Sequence, residues 1–108
     1  MDEVNIRPAT PEDAEQVVPL IYSSGPVAFD YVFKTNNNSA QDYLSFAFKR
    51  TGGEFSFQNH FSIIHNTKVV GAGAVFTGAE MMAFTISEGR NILKFYGIKG
   101  LNIMAKGL

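Results

Sequence analysis

Two prolines three positions apart, Pro8 and Pro11, constrain the opening of this chain more tightly than any other feature. Val4-Asn5-Ile6-Arg7 alternates apolar and polar residues and stops at Pro8, as a short half-buried strand does. Pro11 suits the first position of a helix, where the N–H it lacks would have no partner in any case. Thr10 stands at the cap, Glu12 and Asp13 bring negative charge into the first turn, and Asp13 lies three residues beyond the cap. Ala14, Val17, Val18 and Ile21 then recur at helical spacing and predict one apolar face. Pro19 interrupts that helix, so a bend or an early weakening is expected near the carbonyl of Glu15.

Ser23-Ser24-Gly25-Pro26 ends the first helix, and Val27 to Lys34 reads as a short second one with Phe29, Val32 and Phe33 on a common side. After a polar loop from Thr35 to Asn38, Ser39 caps a third helix. Tyr43, Phe46 and Ala47 line its face, Lys49 and Arg50 complement its dipole, and Gly52-Gly53 close it. Phe61 to Ile64 and Lys68 to Phe76 read as strands joined by Asn66-Thr67 at hairpin length, with the turn type open. Residues Ala79 to Tyr96 read as mostly helical, with Gly89 the place for a break. Ile98 to Leu108 reads as an apolar tail carrying two lysines.

The chain is 108 residues long, 45% hydrophobic and 18% charged, which fits one packed core and a single domain. Its net charge of −1 supplies no field to gather nucleic acid, although Arg90, Lys94, Lys99 and Lys106 weight the end with positive charge. Without cysteine there are no disulfides, thiolate metal sites or cysteine nucleophiles. No stretch is apolar for long enough to span a membrane and the start does not read as a secretory leader, so the expectation is a soluble cytoplasmic protein.

Ile6-Arg7-Pro8-Ala9-Thr10-Pro11-Glu12-Asp13-Ala14 resembles the opening of GNAT acyl-CoA-dependent N-acetyltransferases, where the first strand runs into a capped helix. Lys68-Val69-Val70-Gly71-Ala72-Gly73-Ala74-Val75-Phe76 resembles the third strand of that family. The likeness covers residues 4 to 78 and implies an α/β (α+β) fold, the N-terminal half of a GNAT domain, with a short antiparallel sheet of about three strands and helices packed on it. Residues 79–108 would be a helical extension. The family holds the pyrophosphate of acetyl-CoA with a Gln/Arg-x-x-Gly-x-Gly/Ala loop, whose small residues let backbone N–H groups approach the phosphates. Arg90-Asn91-Ile92-Leu93 lacks those glycines, so no cofactor-binding residue is assigned. Acetyl-CoA is then expected as co-substrate of an intact enzyme and not as a ligand of this chain alone.

Gly71-Ala72-Gly73 lacks the third glycine of a dinucleotide fingerprint and reads as a small-residue strand packed under a helix. His60 and His65 are spaced to face opposite ways and read as hydrogen-bonding or surface histidines; no metal site is expected. Phe55, Phe57 and Phe61 alternate by two, suggesting one strand face or edge. Met and Phe after Ala79 read as core residues that would leave an apolar patch exposed if the remainder of a larger enzyme were absent.

Tyr22, Ser23, Ser24, Phe29, Asp30 and Tyr31 are the substrate-pocket candidates. The family resemblance implies that the loop between the first two helices walls the acceptor pocket, and hydroxyls, a carboxylate and aromatics suit a small-molecule site. The competing reading makes the aromatics core and the serines a helix end. The function so implied is transfer of acetyl from acetyl-CoA to a small-molecule or peptide amine, with the catalytic residues unassigned and the chain alone inactive. The alternative is a non-catalytic dimerising or ligand-binding module, a homodimer joined through the open sheet edge and apolar tail.

Overall fold

The computed structural model describes residues 3–74 and 78–107, and of residues 78–82 and 107 the backbone alone. Strand β1 (Val4–Pro8) leads through one 3-10 turn (Pro11–Asp13) into α1 (Ala14–Ser23), α2 (Pro26–Phe33) and α3 (Ala40–Lys49). A second 3-10 turn (Phe57–Asn59) precedes β2 (His60–His65) and β3 (Lys68–Ala74), after which α4 (Gly78–Tyr96), a third turn (Gly97–Lys99) and α5 (Gly100–Gly107) follow. The fold is α+β, with a three-stranded antiparallel sheet in the order β1-β2-β3.

Local chemistry accounts for the element starts. The Thr10 N–H donates to Asp13 Oδ2 at 3.0 Å, and Arg7 grips the same carboxylate at 2.7 and 2.9 Å, tying β1 to the helix it enters. Ser39 Oγ accepts from the Asp42 N–H at 3.1 Å while the Ser39 N–H donates to Asp42 Oδ2 at 2.9 Å, a reciprocal cap for α3. Asn66 and Thr67 both take positive φ, 50° and 70°, which settles the hairpin as the primed kind that matches strand twist. The helix α1 runs through Pro19 to Ser23 without a break.

α3 is the central helix because two stripes of it are apolar. Ala40, Tyr43 and Ala47 face one core with Phe33, Ile92 and Ile103, whereas Leu44 and Phe48 face another with Ala9, Ala14, Val17 and Val18. Val69 and Ala72 bring β3 onto the latter core. Each of the wholly buried Tyr43, Phe48 and Leu44 contributes about 2 kcal/mol by leaving water.

Several sequence expectations change. α4 continues through Gly89, which is buried and where an added Cβ would stand 3.4 Å from Met104 Cε. The break falls at Gly97, where φ is +68°. The expected tail is instead the last turn and α5, folded back so that Ile103 is buried. The expected exposed patch is therefore partly closed, since Ile92 is buried too, though Ile86, Leu93, Ile98 and Leu101 stay exposed. Met81 and Met82 side chains, and Val75 and Phe76 at the expected end of β3, lie outside the described residues. Phe55, Phe57 and Phe61 do not share a strand: Phe57 opens a 3-10 turn and only Phe61 is in β2. Gly71 and Gly73 do not admit a helix either. They lie beneath Ile63 and Phe61 on the outer sheet face, and a Cβ on Gly73 would stand 2.9 Å from the Phe61 ring.

Candidate functional site

The α1–α2 junction brings the six pocket candidates into different surroundings. Ser23 Oγ donates to the Leu20 carbonyl at 2.8 Å and Ser24 Oγ to that of Ile21 at 2.6 Å, so both hydroxyls are engaged in ending α1. Tyr22 Oη donates to both Asp30 carboxylate oxygens at 2.9 Å, and this bond holds the phenol above its ordinary pKa. Phe29 stacks on Tyr22 and Phe33 and meets Phe55 edge-on at 5.9 Å. Tyr31 is exposed, with Lys106 Nζ 5.7 Å from its ring centre. Ser24 and Phe29 reach a groove; Tyr22 and Asp30 form a pair apart from it.

That groove has a volume of about 290 Å³. Ile21, Ser24 and Phe29 wall one side, and Glu54, Phe55 and His60 the other, against Ala72 to Ala74 of β3. Among the described residues β3 is an edge of the sheet, so the groove runs along open backbone. Burial raises the pKa of Glu54.

His60 carries the most specific chemistry. Its Nδ1 lies 2.8 Å from the Ser56 carbonyl, an acceptor only, so Nδ1 holds the proton and Nε2 keeps its lone pair. Burial lowers the His60 pKa against the opposing pull of that bond, keeping the ring neutral near pH 7. Phe48 meets the ring edge-on at 5.7 Å.

The loop between α3 and β2 delivers both residues. Ser56 is buried; its Oγ donates to the Arg50 carbonyl at 2.6 Å and accepts from the Gln58 N–H at 3.1 Å. Asn59 Nδ2 donates to the Gly53 carbonyl at 2.8 Å, and Gln58 Oε1 accepts from the Gly52 N–H at 3.1 Å. These bonds turn a glycine-led loop into a fixed support. Sequence reasoning assigned His60 a structural part and passed over Glu54, which has no periodic neighbour; the signal available was the Ser56–His60 spacing.

Behind the groove lies a buried polar cluster. Tyr43 Oη donates to Glu88 Oε2, and Arg50 Nε donates to Asn91 Oδ1 at 2.8 Å. Burial raises the Glu88 pKa, and the charge of Glu54 adds to the rise. Glu88 Oε1 and Asn91 Nδ2 are buried and both face Gly53, and the Asn91 side chain and the Phe55 N–H stand near enough to the Glu88 carboxylate to oppose the rise. His60 and His65 lie on opposite sheet faces by register, and no group of three metal-ligating side chains occurs among the described residues. No helix among them is long and apolar enough to cross a membrane.

Comparison of the chain with known protein families, with curated proteins and with solved structures finds no match.

Proposed function

We propose that this chain carries the amine-acceptor side of GNAT-type acyl transfer, with the groove between α1, α2 and β3 as the acceptor pocket. The observation that supports it is the neutral His60 imidazole, oriented by the Ser56 carbonyl, in the same groove as Glu54. A first strand running into helices α1 and α2, with the antiparallel β2–β3 pair following after the further helix α3, adds support from the fold.

An ammonium group entering the groove would meet the Glu54 carboxylate. Once the amine is neutral its lone pair would attack an acyl carbon, His60 Nε2 would take the proton the nitrogen sheds as the N–C bond forms, and that proton would pass to the leaving group as the carbon's bond to it breaks. Phe29 and Phe55 limit water beside the amine. The acyl donor is a different matter: Arg90 to Leu93 lie inside α4, where backbone N–H groups are committed to the helix, so they do not form the family's phosphate loop. No step through acetyl-CoA is assigned to these residues.

The test uses small primary amines titrated into the chain and followed by NMR, then aminolysis of an activated acetyl ester, a donor that needs no phosphate loop. Binding is expected to move the His60 and Ala72 to Ala74 signals, to weaken in Glu54→Gln, and to support aminolysis that His60→Gln loses. Absence of any amine-dependent shift at about 10 mM, a very weak affinity already, overturns the proposal.

A second reading, the dimerising module, is favoured by Val4 and Ile6, which stand 62% and 67% exposed on the sheet face away from the helices. It expects a homodimer in light scattering; a monomer at micromolar concentration removes it.

A further inference from the structure

A second groove is larger than the one beside His60. It lies between the loop after α2 and the α4–α5 corner, with a volume of about 760 Å³, within the range of small-molecule sites. Its lining includes Lys34, Lys99 and Lys106, three of the nine Lys and Arg in a chain of net charge −1. No Asp or Glu lines it, and none of the three lysines pairs with a carboxylate among the described residues.

Its other groups suit an anion as well. Asn37 and Asn102 line it and carry amide donors, and Thr35 organises the loop by accepting from the N–H groups of Asn37 and Asn38 at 3.3 and 3.1 Å. Tyr96 forms part of the wall, fixed by donation from its hydroxyl to the Phe33 carbonyl at 2.6 Å. Asp42, whose charge helps raise the Tyr96 pKa, is the carboxylate that reaches this wall, and it is already engaged by the Ser39 N–H. The Gly97 turn swings α5 back and brings Lys99 and Lys106 into the lining of one groove with Lys34, across more than sixty positions of sequence, with the Lys106 ammonium over the ring of Tyr31 at its edge.

We infer that this groove is a binding site for a small polyanion carrying two or more phosphates, with Lys34, Lys99 and Lys106 as its charged contacts. Three lysines lining one groove bring more charge than one monovalent anion balances, whereas a diphosphate offers enough acceptor oxygens for all three and for the amides. A concave site on a chain without net positive charge suits a small ligand and not a nucleic-acid strand. The inference is independent of the acyl-transfer reading, which concerns a different groove.

The experiment is titration of inorganic pyrophosphate into the whole chain, by calorimetry and by NMR of the lysine side chains, at constant ionic strength. Pyrophosphate is expected to bind, to move the Lys34, Lys99 and Lys106 signals, and to bind more tightly than inorganic phosphate. Lys34→Gln, Lys99→Gln and Lys106→Gln should each weaken it by about two- to fivefold, as exposed charge contacts do, and added salt should weaken it further. Lys94→Gln, on α4 but outside the lining, should leave it unchanged. No binding at about 10 mM, or binding indifferent to all three lysine substitutions, overturns the inference.

Discussion

Arg7 and Asp13 meet through two hydrogen bonds, 2.7 and 2.9 Å, across the junction where β1 becomes a helix. The same carboxylate accepts from the Thr10 N–H and, at 3.1 Å, from the hydroxyl of the buried Ser62 on β2. One side chain thus joins strand, helix and sheet. Above all the Arg7 contact, then the Thr10 and Ser62 bonds, hold its pKa far below the ordinary carboxylate range against the effect of burial. Asp13 binds fewer protons folded than unfolded. Its contribution is full above the unfolded value of about 4 and is lost as pH falls through the depressed folded one. The Arg7 side chain is 42% exposed, so solvent screening reduces what the charge itself is worth. Asp13→Asn is expected to cost about 2 kcal/mol at neutral pH, and its stability should converge on that of the parent in acid, as read by urea unfolding across pH.

Glu88 has the opposite sign. Burial raises its pKa, so the folded state holds the proton more strongly than the unfolded chain does. The stability this gives is complete below the ordinary glutamate value and is lost as pH rises through the higher folded one. Glu88→Gln keeps an acceptor for Tyr43 and removes the ionisation. It is expected to be more stable than the parent by about 1 kcal/mol near pH 8, with the difference shrinking towards acid. Thermal unfolding at several pH values reads this, and an unchanged slope would refute it.

Gly52 and Gly53 both have positive φ, 81° and 96°, yet they should respond differently to alanine. A Cβ on Gly52 would meet the Ser87 side chain at 3.1 Å, while one on Gly53 would stand 2.5 Å from buried Glu88 Oε1 and 3.2 Å from Asn91 Nδ2. Gly52→Ala should cost about 1 kcal/mol, mainly from the left-handed backbone, and Gly53→Ala about 3 kcal/mol because the buried pair must also move. In a domain this size that gap separates the melting temperatures by about 10 °C.

Legibility in the sequence followed how local the cause was. Thr10-Pro11 and Ser39 announce helix starts because each cap uses atoms within three residues of itself, and the Asn66-Thr67 hairpin is set by loop length. Gly89 and Gly97 look alike as breakers, and what separates them is tertiary: Gly89 lies buried against α5, while a Cβ on Gly97 would meet nothing within 4 Å. The tail folds back as α5 through a contact between distant residues, Gly100 passing so close to Ile92 that a Cβ would stand 3.0 Å from its carbonyl oxygen. Leu44 and Phe48 were not read as a second face of α3, since one stripe already satisfied the helical period. The candidate pocket depended on least-local causes. Glu54 and His60 are brought to it by side-chain bonds of Ser56, Gln58 and Asn59, which carry no period at all.

The two apolar clusters that share α3 draw on different lengths of chain. Every buried member of the first, from Ala9 to Phe48, and the strand residues packed on it lie within the first 72 positions, while the second closes only when Ile92 and Ile103 arrive. This division predicts an ordered assembly. The sheet with α1 and one side of α3 can consolidate as a cooperative unit, and α4–α5 dock onto it afterwards. Amide exchange should reveal that hierarchy as a sub-global opening, in which α4 and α5 exchange together while β1, β2 and α1 keep their protons.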